Sequence, residues 1–182
     1  MQSITLPAID VPDHVTQTPL GKVIVPGVRI PERMVVIDPA LIQDLIEKAR
    51  NASDLGYNNY SVKFPVGAAV VMADDPEGQI FTAANCENAV LNSGICAERA
   101  LLHYVVAQGF RRIKYLAVST PHRDKDITLR SPCGLCRQTI AEFADEKTLI
   151  FLDRQQQGVL ADVLDIDRLL PYPAIRKIVA RL

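Results

Sequence analysis

Two short stretches carry residue types at a spacing that could do chemistry: Cys96-Ala97-Glu98-Arg99, and Ser131-Pro132-Cys133-Gly134-Leu135-Cys136-Arg137-Gln138. Cys133 and Cys136 stand at i and i+3, so on a helix they share a face and can grip one ion. Cys96 supplies a third thiolate, which leaves one tetrahedral position open for water. Three protein ligands and an open position is the pattern of a catalytic zinc site, whereas a closed structural site needs a fourth ligand. Glu98, two residues from a ligand, lies beside such an ion without having to bind it. There it can take a proton from the attacking water and pass it on. Three thiolates on Zn2+ leave net negative charge, which Arg99 or Arg137 could offset through N–H···S contacts.

Plainer readings compete. A lone C-x-x-C is also a redox pair or half of a structural zinc ribbon. A redox pair leaves Cys96-x-Glu98 without a purpose. A ribbon would draw its fourth ligand from Cys86, ten residues before Cys96; we read Cys86 instead as a reduced, partly buried thiol. His103 falls two helical turns past Cys96 and reads as core or interface, and His14 and His122 lie in loops. The four cysteines all fall between residues 86 and 136. Thiols of a cytosolic chain stay reduced, so this clustering points to metal or catalysis.

The elements that must position these residues follow from pattern. Asp38-Pro39 is a helix start, and Leu41, Ile42, Leu45, Ile46 and Ala49 mark one face of a helix ending near Gly56. "VGAAVVMA" (66–73) reads as a buried strand, with "IFTAAN" (80–85) as its hairpin partner across "ADDPEGQ". Helices are expected over 95–108, closed by Gly109, and over 133–145. Strands are expected over 114–120 and 147–153, with a fifth at 158–164 and a short helix around 174–182. Both chemical stretches then start helices at the same edge of the sheet, where the helix dipole and unpaired N–H groups favour thiolates. The alternation of strands and helices predicts a three-layer α/β/α domain over 38–182 with a mixed five-stranded sheet. Residues 1–37 hold Pro7, Pro12, Pro19, Pro26 and Pro31 and short β-branched runs. They read as an extended arm, or as partly ordered with a short edge strand.

Composition excludes several classes. The 182 residues are 48% hydrophobic, enough for a sizeable core, with 20 Lys+Arg against 21 Asp+Glu. Balanced charge and the lack of an aromatic-rich basic tract argue against a nucleic-acid partner. No apolar run approaches the roughly 20 residues of a membrane helix. The N-terminal stretch lacks the cationic start and apolar run of a secretory signal, so a cytoplasmic protein is expected.

With C-x-E and P-C-x-x-C both in place, the chain resembles the cytidine deaminase family, whose zinc signature pairs such motifs. "YSVKFPVGAAV" is similar to the family's "YS-x-F-x-VGAA" strand, "NCENA" (85–89) to its "N-I-E-N-A" loop, and "SPCGLCRQ" to its zinc motif. The resemblance spans about residues 40–172. It implies that Cys96, Cys133 and Cys136 hold one Zn2+ per subunit, with Glu98 as acid and base and Arg99 balancing charge. It further implies that Asn85 and Glu87 bond the ribose hydroxyls and that Phe64 packs on the nucleoside. The Ala97 N–H and the carbonyl near Ser131 would read the base edge. The implied reaction is hydrolytic deamination of cytidine or deoxycytidine to uridine or deoxyuridine and ammonia, in pyrimidine salvage, by a homotetramer. Three departures stand out. Leu91 replaces an aromatic, "LLPYPAI" (169–175) puts Ala174 where the family has phenylalanine, with Tyr172 nearby, and the first 37 residues have no family counterpart. They leave open a modified or 4-substituted cytosine nucleoside, as in blasticidin deaminases. A non-catalytic zinc-stabilised scaffold is the reading from a different class.

Overall fold

The computed structural model describes residues 1–60, 63–156 and 158–173. The expected helix at 174–182, and Ala174 with it, lies outside the described residues. The chain divides into two compact units, Met1–Pro39 and Ala40–Leu182.

The first unit corrects the expectation of an extended arm or a single edge strand. Six short strands, β1 (Gln2–Leu6), β2 (Ile9–Val11), β3 (His14–Thr18), β4 (Gly21–Val25), β5 (Val28–Ile30) and β6 (Arg33–Ile37), form three antiparallel pairs. One register carries through all of them, since the partner numbers add to 39 throughout: Gln2 with Ile37, Ile9 with Ile30, Thr18 with Gly21. The unit is one long β-ribbon folded at Pro19-Leu20, where Gly21 takes φ 128°. The physical reason lies in the proline spacing. The five prolines stand 5, 7, 7 and 5 residues apart, mirrored about Pro19, so each donor gap falls within one residue of the gap on the opposite strand and pairing resumes after each.

In the second unit, α1 (Pro39–Ser53) buries Ile42, Leu45, Ile46 and Ala49 of the expected face, with Ala52 joining them, while Leu41 is only half-buried. Five strands follow: β7 (Gly67–Met72), β8 (Ile80–Ala84), β9 (Ile113–Ser119), β10 (Leu149–Gln156) and β11 (Val159–Leu164). Their order in the sheet is β11-β10-β9-β7-β8. Only β9 and β10 run parallel, joined by a helical crossover, so the sheet is mixed as expected. Between strands lie α2 (Ala97–Ala107) and α3 (Gly134–Phe143), and after β11 the short α4 (Ile166–Leu169), which the sequence pattern did not reveal.

Strand parity assigns the layers. Ala68, Val70 and Met72 of β7, Leu116 and Val118 of β9, and Ile150 and Leu152 of β10 share a core with Leu101, Leu102 and Val105 of α2. Ile140 of α3 and Leu169 of α4 complete that core. In the alternate register, Gly67 of β7 lies against Ala49 and Ser53 of α1, and Asp153 of β10 accepts from Arg50 of α1. All six residues of β7 are buried, which is why it reads as an unbroken apolar run rather than an alternating one. Its first residue has to be glycine. A Cβ on Gly67 would stand 1.9 Å from the Ala49 carbonyl oxygen and 2.5 Å from the Ser53 nitrogen. Both are backbone atoms of α1 that no rotamer change can move. Gly67→Ala is therefore expected to lift α1 from the sheet at a cost of about 3 kcal/mol. For a chain of this size that is roughly 6–12 °C in Tm. A thermal melt measures it, and an unchanged Tm would mean that α1 is not seated on β7 in this way.

Candidate active site

Cys96 and Cys133 are the N-cap residues of α2 and α3, both extended (ψ 153° and 165°), and neither side chain caps its helix. Their sulfurs are therefore left for another partner at two positive helix ends. Cys136, one turn into α3, is fully buried. The three Sγ atoms lie within 4.8 Å of one another, with Cys133 and Cys136 3.4 Å apart. The loop before α2 is held by a reciprocal backbone pair, Cys86 N–H to Ile95 O (3.0 Å) and Ile95 N–H to Cys86 O (2.9 Å). Cys86 is exposed and stands outside the sulfur cluster, so the four-cysteine ribbon does not form.

The electrostatics suit a bound cation. The Cys96 thiol falls to about 6, chiefly because Cys136 donates to its sulfur, with Cys133 and the Arg99 charge acting the same way against the cost of burial. The Cys136 thiol is pushed up, because donating to Cys96 holds its proton and burial opposes its charge. One sulfur sheds its proton readily while its neighbour keeps it. A divalent ion held by the three sulfurs would remove that conflict by favouring thiolate on all of them.

Glu98, in the first turn of α2, is only 3% exposed, and its Oε2 has no hydrogen-bond partner among the described residues. Burial is the main reason its carboxyl rises to about 7, and the neighbouring Cys96 charge adds to it. A buried, half-unpartnered carboxyl costs stability unless it serves something. Together with the three sulfurs, this orphaned oxygen shows that the residues present fit a zinc ion and its reactive water.

Cys96, Cys133 and the Glu98 carboxyl open onto a cavity of about 400 Å³, with the buried Cys136 behind them, and its lining also includes Phe64, Asn85, Glu87 and Ser131. Ala97 is fully buried and, like Arg99, does not line the cavity. Asn85 corrects a simple picture of a free ribose ligand. Its Oδ1 accepts from the Val66 N–H (2.9 Å), and its Nδ2 donates to Asn58 Oδ1 (2.7 Å) and Phe64 O (3.0 Å). Both amide hydrogens are used to hold the segment carrying Phe64, and one lone pair on Oδ1 remains. Glu87 accepts from the Tyr60 N–H (2.8 Å). Phe64 meets His122 edge to face, with ring centroids 5.2 Å apart, which gives that loop histidine a packing role. Leu91 falls in a 3-10 turn, Leu91–Ser93. Tyr172 is exposed.

Arg137 does not act as a sulfur partner. Its guanidinium donates to Pro132 O (2.7 Å), Ser131 Oγ (3.0 Å) and Leu169 O (3.3 Å), so it ties the Ser131-Pro132-Cys133 turn to the end of α4. Arg99 acts on Cys96 and Glu98 through its charge. Sequence reasoning missed Asn58 and the tie made by Arg137. The first gives no local signal, and the second is signalled only by an arginine directly after a ligand.

The chain matches the family model of the cytidine and deoxycytidylate deaminase zinc-binding region over residues 40–152. It is 35% identical over 130 residues to a cytidine deaminase of Sporosarcina psychrophila, covering 71% of this chain and 88% of that protein. It is 34% identical over 129 residues to one of Halalkalibacterium halodurans, covering 71% and 90%. The crystal structure of a cytidine deaminase from Burkholderia pseudomallei superposes with a TM-score of 0.59 at 34% identity, over 71% of this chain and 96% of that one. Since the family match runs through both helices that supply the sulfurs, the chain belongs to the cytidine deaminase family.

Proposed function

We propose that the protein is a zinc-dependent hydrolase that deaminates cytidine and deoxycytidine, giving the uracil nucleoside and ammonia. The observation that carries this reading is Glu98, a buried carboxyl with an unpartnered oxygen beside three clustered sulfurs. Cys96, Cys133 and Cys136 hold the ion. Zinc bound there supplies the Lewis acidity that makes water a nucleophile at neutral pH. Glu98 takes the proton released as water attacks C4, delivers a proton to N3, and then relays one to the leaving amine. A carboxyl raised to about 7 changes protonation state readily at neutral pH, as a group that must both accept and donate requires.

The roles of Phe64, Asn85, Glu87 and Ser131 follow from their place in the cavity wall, and those of Ala97 and Arg99 from the first turn of α2 behind it. Phe64 packs on the nucleoside, the Glu87 carboxylate takes a ribose hydroxyl, and the remaining lone pair of Asn85 Oδ1 accepts from another. The Ala97 N–H, at the start of α2, and the Ser131 carbonyl read the base edge. An analogue lacking the matching groups leaves these partners unpaired inside the occupied site, which is what gives discrimination. Arg99 offsets the charge of the thiolates. The balanced charge of the chain supports a small neutral substrate over nucleic acid. We place the enzyme in the cytoplasm, in pyrimidine salvage; among the described residues no helix is long and apolar enough to cross a membrane. Tyr60 and Leu129, both about half exposed at the cavity, support a homotetramer in which a neighbouring subunit covers them. An absorbance assay across cytidine, deoxycytidine and free cytosine, with and without a chelator, tests the reading. Turnover of the two nucleosides that a chelator abolishes is expected. A zinc-loaded protein that turns over none of them would be a scaffold instead.

A further inference from the structure

Arg130 is a fully buried cation with no part in the proton transfers, its side chain 2% exposed, yet it lines the cavity. Its guanidinium reaches three separate segments. Nε donates to the Lys125 carbonyl in its own loop (2.9 Å). Nη1 donates to the carbonyls of Asp153 (3.1 Å) and Leu152 (3.4 Å) on β10, and Nη2 to the Asp162 carboxylate on β11. Four of its five N–H donors are thus engaged. Asp162 also accepts from Arg154 (2.8 Å), which holds the carboxylate in place. The far side of the loop is tied to the same strand, where the Gln155 N–H donates to Arg123 O (2.8 Å).

Arg130 directly precedes Ser131-Pro132-Cys133. Arg137 grips that same turn from the other side, at Pro132 O and Ser131 Oγ. Ser131, in the cavity wall, therefore hangs between two fixed guanidiniums. One is anchored in α3 and the other at the β10–β11 edge of the sheet. Nothing in loop folding alone calls for a buried arginine there. An apolar side chain would fill the space without needing four acceptors from three segments. The rigid fork sets an orientation, and a flexible ammonium reaching a single acceptor does not.

We propose that Arg130 is a positioning residue, which from the sheet edge fixes the Ser131 carbonyl against the substrate base and the entry of the chain into Cys133. The proposal rests on the reading of Ser131 as a base-edge contact in nucleoside deamination. Misplacement of such a group by about 1 Å costs on the order of 100-fold in rate. The test compares full-length, zinc-loaded wild type, Arg130→Met, Arg130→Lys and Asp162→Asn for zinc content, unfolding, kcat and KM on cytidine. Arg130→Met is expected to keep one zinc per chain and lose about 10- to 100-fold in kcat/KM, with KM carrying most of it. Arg130→Lys is expected to recover part of the loss, and Asp162→Asn to shift KM the same way by less. The proposal is overturned by an Arg130→Met enzyme within twofold of wild type in both constants, by a loss of activity that only tracks lost zinc, or by a lysine variant no better than methionine. Should Arg130→Met fail to fold, an unchanged KM in Asp162→Asn overturns it equally. A wild type that turns over no nucleoside would remove the functional reading itself, and this proposal with it.

Discussion

Glu98→Ala is expected to bind one zinc per chain, unfold cooperatively and lose about 10²- to 10⁴-fold in kcat, the range that a positioned general acid–base contributes. The separation of binding from turnover follows from geometry. The metal needs the three sulfurs, which meet within 4.8 Å without the carboxylate. On the proposed reading, only proton traffic needs Glu98. Glu98→Gln keeps the shape and a hydrogen-bonding oxygen but cannot accept a proton, and should be as inactive as alanine. Metal analysis beside steady-state kinetics is the measurement, and an active alanine variant with zinc bound would end the assignment.

The same carboxyl gives a stability signature with a definite sign. Burial raises it from 4.5 to about 7, so the folded chain holds the proton more tightly than the unfolded one. Its contribution is fully present below about pH 4.5 and is lost as pH rises through about 7. In chelated protein, wild type should therefore lose stability relative to Glu98→Gln between about pH 5 and 8, by up to roughly 3 kcal/mol for the buried group. Parallel pH dependences in the two proteins would show that the carboxyl is better solvated than its burial indicates.

How much of this was legible in sequence depended on the range of each interaction. The ligand set could be read because helix starts are local: an N-cap cysteine followed by a helical run declares its own geometry, and both helices begin where expected. The sheet could be read because β7 and β10 are apolar enough to be strands on composition alone. The ribbon was hidden because prolines read as breaks one at a time. Only their mirrored spacing about Pro19 brings the breaks within one residue of each other across the ribbon, and no local window contains it. Asn85 was half legible, since its place beside Glu87 marks the loop. The bonds to Asn58, Phe64 and Val66 that consume its amide are set by how the chain returns across the cavity. Arg130 and Arg137 show the same limit. In sequence Arg130 carries no signal and Arg137 reads as a partner for the sulfurs, and only tertiary structure reveals that both spend most of their donors on backbone carbonyls.

Removing a sulfur should have the other largest effect, and the three differ from Cys86 in a way that separates the catalytic from the scaffold reading. Cys136→Ala takes away the buried member of the cluster, the one shared between the core and the site. Two sulfurs on separate helices are a poor zinc site, so stoichiometric zinc and more than about 99% of turnover are expected to go together, since the Lewis acid and its anchoring are lost at once. Stability should follow the metal. An ion present at about 1,000 times its dissociation constant contributes roughly 4 kcal/mol to the folded state, or on the order of 8–16 °C in Tm for a chain of this length. Chelated wild type should lose that increment, and Cys136→Ala should show no further loss on chelation. Cys86→Ser is the discriminating control. Its sulfur lies outside the cluster, so zinc content and turnover should stay at wild-type levels. A closed, four-cysteine site would instead lose metal on that substitution. With a fourth thiolate in place no position would remain for water, and the unpartnered oxygen of Glu98 would have nothing to act upon. Zinc content of the two variants, measured side by side, therefore decides whether this cluster is a fastening or a site of reaction.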